Sequence, residues 1–228
     1  MKIAVLHGQN HKGSTYHITK LLLDRISSPH DEVAQFQTNH LNPCVGCFTC
    51  IMKDEKLCPH SSQVHPIIEA IEQADLVVIE SPNYCMGMSG QLKILFDHMG
   101  YRWMSHRPHP AMGSKIGIAV STAAGLGAGK VTKAIRQQMF WWGISYIDQI
   151  AEIVGASSWD EVTPRKKEQI ARTVNRLAKK IKKKLGTVKP GLKSTLMMNV
   201  MKLQQKGNDW NEVDRHFWVT HYGLSPRR

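Results

Sequence analysis

The sequence predicts a doubly wound α/β domain built on a parallel sheet. Two observations carry that expectation: apolar runs alternate with helix-period segments, and the runs are nearly uninterrupted, as strands covered on both faces are. In chain order, Ile3-Ala4-Val5-Leu6 reads as the first strand, and the helix after it has Ile18, Leu21, Leu22 and Ile26 on one stripe. Residues 32–36 read as the second strand, 76–79 as the third, 116–120 as the fourth, and a run within 144–154 as the fifth. Helices are expected over roughly 64–74, 91–99, 129–142 and 164–185. Lys189-Pro190-Gly191 marks a boundary, giving one domain over 1–188, with a cysteine-rich insertion at 42–62, and a helical, aromatic-rich extension over 189–228. In that extension Leu196, Val200 and Leu203 mark one face. Trp210, Phe217, Trp218 and Tyr222 add more aromatic surface than water tolerates, so packing on the domain or on a second subunit is expected.

At 228 residues and 42% hydrophobic, the chain is long enough for one full core. Its apolar start is too short for a signal peptide, and no run approaches the roughly 20 residues of a membrane span, so no membrane partner is expected. Four of the five cysteines fall within 44–58, which favours a reducing, cytoplasmic setting with thiols kept for metal or redox work. Of the formal +12 charge, a net +9 lies on 165–184, where Ile170, Val174, Leu177, Ile181 and Leu185 form an apolar stripe. The lysines are therefore expected on a solvated helix face. Nucleic acid is not the expected partner, since no aromatic interleaving or recognition motif accompanies the charge.

In an open parallel sheet, ligands sit where strands end and helices begin. After the first strand comes Gly8-Gln9-Asn10-His11-Lys12-Gly13-Ser14-Thr15, whose glycines, hydroxyls and helix-start N–H groups suit a phosphate; an ordinary cap by Ser14 or Thr15 is the alternative. After the third strand comes Ser81-Pro82-Asn83-Tyr84-Cys85-Met86-Gly87, where Tyr84 and Met86 offer flat or soft surface to a ring system, or Tyr84 is a core aromatic. Cys85 reads as a packing residue, with a reactive thiol as the alternative. After the fourth strand, Thr122-Ala123-Ala124-Gly125 permits close backbone approach. It is no P-loop, because Ala124 and Val131 stand where a glycine and a metal-binding hydroxyl are needed. His106-Arg107-Pro108-His109-Pro110, with Trp103, is expected to border the ligand or a subunit contact.

The second loop resembles the S-P-x-Y-x-x-x-x-S-x-x-L-K-x-x-x-D motif of the NAD(P)H-dependent FMN reductases and related flavodoxin-like proteins, matched by Ser81, Pro82, Tyr84, Ser89, Leu92, Lys93 and Asp97. The first loop resembles the same family's Gly-Ser-Pro-Arg phosphate loop, with Gln9, Asn10 and His11 in place of Ser, Pro and Arg. The resemblance covers about residues 1–155. It implies a flavodoxin-like sheet of about five strands in the order 2-1-3-4-5. It also implies FMN held at its phosphate by Ser14 and Thr15 with Gln9 and His11, at its ring by Pro82, Asn83, Tyr84, Cys85, Met86 and Gly87, and at its pyrimidine edge by Thr122, Ala123, Ala124 and Gly125. By the same resemblance, His11 in place of Arg implies phosphate binding that is weaker or more pH-sensitive. The cofactor carries the chemistry, so no catalytic side chain is assigned.

Cys44, Cys47, Cys50 and Cys58 follow a C-x2-C-x2-C-x7-C spacing ending in Cys-Pro. That spacing suits a [4Fe–4S] cluster, a zinc ion or free redox-active thiols, and it resembles the iron–sulfur flavoproteins. The expected activity is hydride transfer from NAD(P)H to FMN and onward to a flavin, a quinone-like compound or another small acceptor. The alternative is a one-electron carrier that partners ferredoxin. A homodimer or homotetramer is expected.

Overall fold

The computed structural model describes residues 1–225. Five strands, β1 (Lys2–His7), β2 (Glu32–Gln37), β3 (Leu76–Glu80), β4 (Ile116–Ala123) and β5 (Tyr146–Ile153), form one parallel sheet in the order β2-β1-β3-β4-β5. The connections are α1 (Ser14–Ile26), the single turn α2 (Thr49–Met52), α3 (Ser61–Gln73), α4 (Gly90–His98) and α5 (Ala128–Trp141). Beyond the sheet lie α6 (Pro164–Lys184), α7 (Leu192–Lys206) and α8 (Glu212–Tyr222).

Strand alternation divides the core between the two faces of the sheet. Ile3, Val5, Leu76, Val78, Ile118 and Val120 pack against α1 and α6, while Ala4, Leu6, Val77, Ile79 and Ala119 pack against α3, α4 and α5. β3 and β4 are buried along their whole length, which explains their unbroken apolar sequence. β2 departs from the expected double burial: Glu32, Val33, Ala34 and Gln35 are exposed, because it is an edge strand, and polar side chains there discourage pairing with another sheet.

α6 buries Ile170, Val174, Leu177, Ala178 and Ile181, and its lysines face outward, two of them paired to Glu152 (2.7 Å) and Asp148 (3.1 Å) on β5. The extension divides differently from expectation. On α7 the leucines and Val200 are exposed, Leu192 at 94%, Leu196 at 66% and Leu203 at 66%, Met197, Met198 and Met201 are half-buried, and the buried residues are Ser194 and Gln205. α8 is what docks. Trp218 is fully buried with its Nε1 donating to the His106 carbonyl at 2.5 Å, and the Tyr222 hydroxyl donates to the Pro108 carbonyl at 3.0 Å. The loop after α4 therefore borders the C-terminal extension, and Trp103 stacks on Trp141 with ring centroids 5.4 Å apart. Among the described residues, no helix is long and apolar enough to cross a membrane.

Trp142, fully buried and edge-on to Phe96 at 5.3 Å, anchors the α4–α5 face. Trp142→Ala is expected to cost about 3–5 kcal/mol of unfolding free energy in urea titrations, by leaving a cavity that the sheet cannot close.

Candidate functional site

β1, β3 and β4 deliver their three following loops to one edge of the sheet, at the point where the strand order reverses between β1 and β3. Under that edge lies a buried polar chain. His7 and Glu80 are register partners at the ends of β1 and β3, with Nδ1 of His7 2.7 Å from Oε1 of Glu80. Thr19 of α1 donates to the other carboxylate oxygen at 3.1 Å, and Nε2 of His7 lies 3.0 Å from Oε1 of Gln35. Burial lowers the pKa of His7, but the hydrogen bond and charge of Glu80 outweigh it and leave the value raised. With both ring nitrogens facing oxygens, the imidazolium is the form that satisfies the site. Sequence reasoning missed this pair. Its only sequence signal is a polar residue at the end of each of two apolar strands.

The first loop leaves β1 through Gly8, whose N–H donates to the Glu80 carbonyl at 2.9 Å. A Cβ here would stand 2.8 Å from that oxygen and 2.9 Å from Oγ of Ser89, so only glycine fits. Gln9 turns inward, and its Nε2 is buried without a hydrogen-bond partner among the described residues. α1 then starts after Gly13, which has no side chain to cap it, and its first turn, Ser14-Thr15-Tyr16-His17, carries no carboxylate. The capping alternative for Ser14 and Thr15 therefore falls away, since both are helical residues. Thr15 is buried and shares a 2.6 Å hydrogen bond with the Thr122 hydroxyl. Two hydroxyls in one such bond retain a second O–H to donate. The helix start thus presents unfilled N–H groups, an unsatisfied amide and a spare hydroxyl proton, a set suited to a phosphate.

The second loop extends the β3–β4 ladder, with Ser81 N–H donating to Val120 O and Asn83 N–H to Thr122 O, both at 3.0 Å. It then reverses in a two-residue turn closed by reciprocal Tyr84–Gly87 backbone bonds of 2.9 Å. Cys85 and Met86 at its tip hold φ of 49° and 63°, a left-handed conformation that costs non-glycine residues energy. Tyr84 (47%) and Met86 (41%) are exposed, so the core-aromatic alternative for Tyr84 does not hold. Cys85 is exposed as well, which corrects its reading as a packing residue. The turn projects it away from the core.

The third loop is fastened on two sides. Val154 N–H donates to Ala123 O and Gly155 N–H to Ala124 O, while Asn83 Nδ2 donates to Leu126 O at 2.9 Å. Gly127, at φ 101°, lies so close that a Cβ would meet Asn83 Nδ2 at 2.5 Å. Oδ1 of Asn83 and Oγ of Ser121 are buried without partners among the described residues. Each of the three strand ends therefore contributes one unsatisfied buried polar atom.

The cysteine loop belongs to the connection from β2 to α3. All five cysteines, each among the described residues, are free thiols. The Cys50 thiol is pushed up to about 11, first by burial and then by the charges of Cys58, Cys44 and Cys47, so Cys50 lies within electrostatic range of each of the other three. Hydrogen bonds from Thr49 hold the Cys47 thiol below its ordinary value. Sγ of Cys58 is 3.8 Å from Nδ1 of His98, whose Nε2 faces the Asn42 carbonyl at 2.9 Å. Among the described residues, no three Cys, His, Asp or Glu side chains converge to hold a single metal ion.

A sequence profile of the NADPH-dependent FMN reductases matches residues 1–157. An iron-sulfur flavoprotein of Methanocaldococcus jannaschii is 31% identical over 135 residues, covering 58% of this chain and 67% of that one. An FMN-dependent NADH:quinone oxidoreductase of Pseudomonas aeruginosa is 29% identical over 130 residues, covering 53% and 63%. The azoreductase AzrA, 16% identical, superimposes with a TM-score of 0.56 over 78% of this chain and 97% of its own, a likeness of fold.

Removing His7 strands a buried carboxylate, so His7→Ala should lower stability by about 3–5 kcal/mol at acidic to neutral pH. Because the folded pKa of His7 is raised, its contribution is full below the unfolded imidazole value of about 6.5 and fades as pH rises through the folded value. Urea titrations across pH should show that alkaline loss in the wild type and not in the variant. Gly127→Ala, strained in φ and pressed against Asn83, should cost about 1–3 kcal/mol in the same assay.

Proposed function

Since the chain belongs to the NADPH-dependent FMN reductase family, we propose that it binds FMN across the three strand-end loops and passes reducing equivalents from NAD(P)H to a flavin, a quinone-like compound or another small acceptor. The observation that carries this reading is that each of three neighbouring strand ends holds an unsatisfied buried polar atom, Gln9 Nε2, Asn83 Oδ1 or Ser121 Oγ, beside a helix start free of carboxylates.

FMN held by these loops would supply the redox chemistry, hydride acceptance from NAD(P)H and electron delivery to the acceptor. Gln9, His11, Ser14 and Thr15 hold its phosphate, with the α1 dipole and N–H groups stabilising the dianion. Pro82, Asn83, Tyr84, Cys85, Met86 and Gly87 line the ring. Tyr84 and Met86, half in water, would offer it flat and soft apolar surface. Thr122, Ala123, Ala124 and Gly125 bring backbone donors to the pyrimidine edge, where reduction develops negative charge. The acceptor classes fit the Pseudomonas relative, a quinone oxidoreductase. The exposed stripe Leu192, Leu196, Val200 and Leu203 is surface that a homodimer or homotetramer would bury, and five free thiols fit a reducing, cytoplasmic compartment.

A second reading rests on a separate observation, a loop of four free thiols in which Cys50 feels the charge of each of the other three. An all-thiolate donor set fits a [4Fe–4S] cluster held by Cys44, Cys47, Cys50 and Cys58, and relatives at 31% and 26% identity are iron-sulfur flavoproteins. With such a cluster the protein would exchange single electrons with a ferredoxin-like partner.

Protein purified anaerobically should show flavin absorption bands that bleach on adding NADH or NADPH; colourless protein that takes up no FMN would sink the reading. Gln9→Glu, which sets a carboxylate against the phosphate, should weaken FMN binding at least about tenfold by fluorescence titration without loss of fold. Iron and sulfide analysis on the same sample decides the second reading, and rapid reduction by ferredoxin without bleaching by NAD(P)H would favour the carrier.

A further inference from the structure

The turn α2 carries Cys50 and is too short to sustain itself, because a single helical turn leaves its closing carbonyls without helical partners. Those carbonyls are taken by side chains from elsewhere in the chain. Nη1 of Arg107 donates to Ile51 O at 2.9 Å, and Nη2 donates to Cys50 O. Asn211, just before α8, donates from Nδ2 to the same Ile51 O at 3.0 Å. Arg107 is almost wholly buried, which a guanidinium tolerates only with a counter-charge. Asp214 of α8, 1% exposed, supplies it at 2.6 Å, with Glu55 farther off at 3.4 Å. Oδ1 of Asn211 in turn caps the Asp214 N–H at 3.0 Å, and Oδ2 of Asp214 meets Nδ1 of His106 at 2.6 Å.

We propose that the C-terminal extension is the scaffold of the cysteine loop: Arg107, charge-balanced by Asp214 and assisted by Asn211, fixes the Cys50–Ile51 backbone and so sets where the Cys50 thiol stands relative to Cys44, Cys47 and Cys58. The consequence for a metal centre rests on the cluster reading above; the positioning itself does not. Arg107, Asn211 and Asp214 are positioning residues that act through the backbone of a candidate ligand. This gives the extension a function that its exposed α7 stripe does not reveal, and it ties a segment more than 150 residues away to the thiol loop.

The test uses the full chain as purified. Asp214→Ala should speed amide hydrogen exchange over residues 49–58 at least about tenfold while β1, β3 and β4 keep their protection and FMN content is unchanged. The rate of Cys50 alkylation by iodoacetamide, relative to that of Cys85, should rise at least about threefold in the same variant. Unchanged exchange over 49–58 overturns the proposal, as does faster exchange with an unchanged alkylation ratio, which would make the contact one of stability alone. If Asp214→Ala does not fold, Asn211→Ala should give a smaller acceleration over the same segment, and none overturns the proposal.

Discussion

The candidate site depends on the buried His7–Glu80 pair. It stands at the ends of β1 and β3, where the chain leaves one strand toward α1 and the next toward α4, so the two connections diverge and open a crevice. A polar pair at that depth is tolerated because every facing group is used: Thr19 and Gln35 complete the contacts that burial would otherwise leave unmet. The carbonyl of Glu80 then anchors Gly8, and from Gly8 the first loop takes its course. Breaking the pair would therefore loosen the floor on which the loop is set.

Above that floor the loops restrain one another. Thr15 ties the first to the third, Asn83 ties the second to the third, and the β5 continuation holds the third from outside. Such cross-bracing lowers the entropy that a ligand would otherwise have to remove on binding. The polar atoms left unsatisfied, Gln9 Nε2, Asn83 Oδ1 and Ser121 Oγ, belong one to each braced strand end, and buried polar groups without partners call for an explanation. In the proposed FMN site these atoms would face the donor and acceptor groups of the ligand.

The cysteine loop follows a different logic. The strand-end loops are held mainly by the sheet, whereas α2 is held by an arginine and by the chain's last helix. Trp218 and Tyr222 supply the apolar attachment of that helix, and Asp214 supplies the charge that allows Arg107 to be buried. The aromatic residues of the extension thus divide between docking at Trp218 and an outward-facing remainder at Trp210.

The order of the elements, the strand-end loops and the cysteine spacing were legible in the sequence, because each is a local pattern: period 3.6 in α6, unbroken apolar runs in β3 and β4, glycines and hydroxyls before α1. Local pattern also located Tyr84 and Met86, though not that both would be exposed on a left-handed turn. What only the tertiary structure decided were pairings between distant residues. His7 meets Glu80 across 73 residues, and Arg107 meets Asp214 across 107. The same holds for which apolar stripe is covered: α6 and α7 both carry one, yet α6 packs against the sheet and α7 does not. Periodicity records which side of a helix is apolar. It holds no information about what lies opposite, because that depends on where the rest of the chain comes to rest.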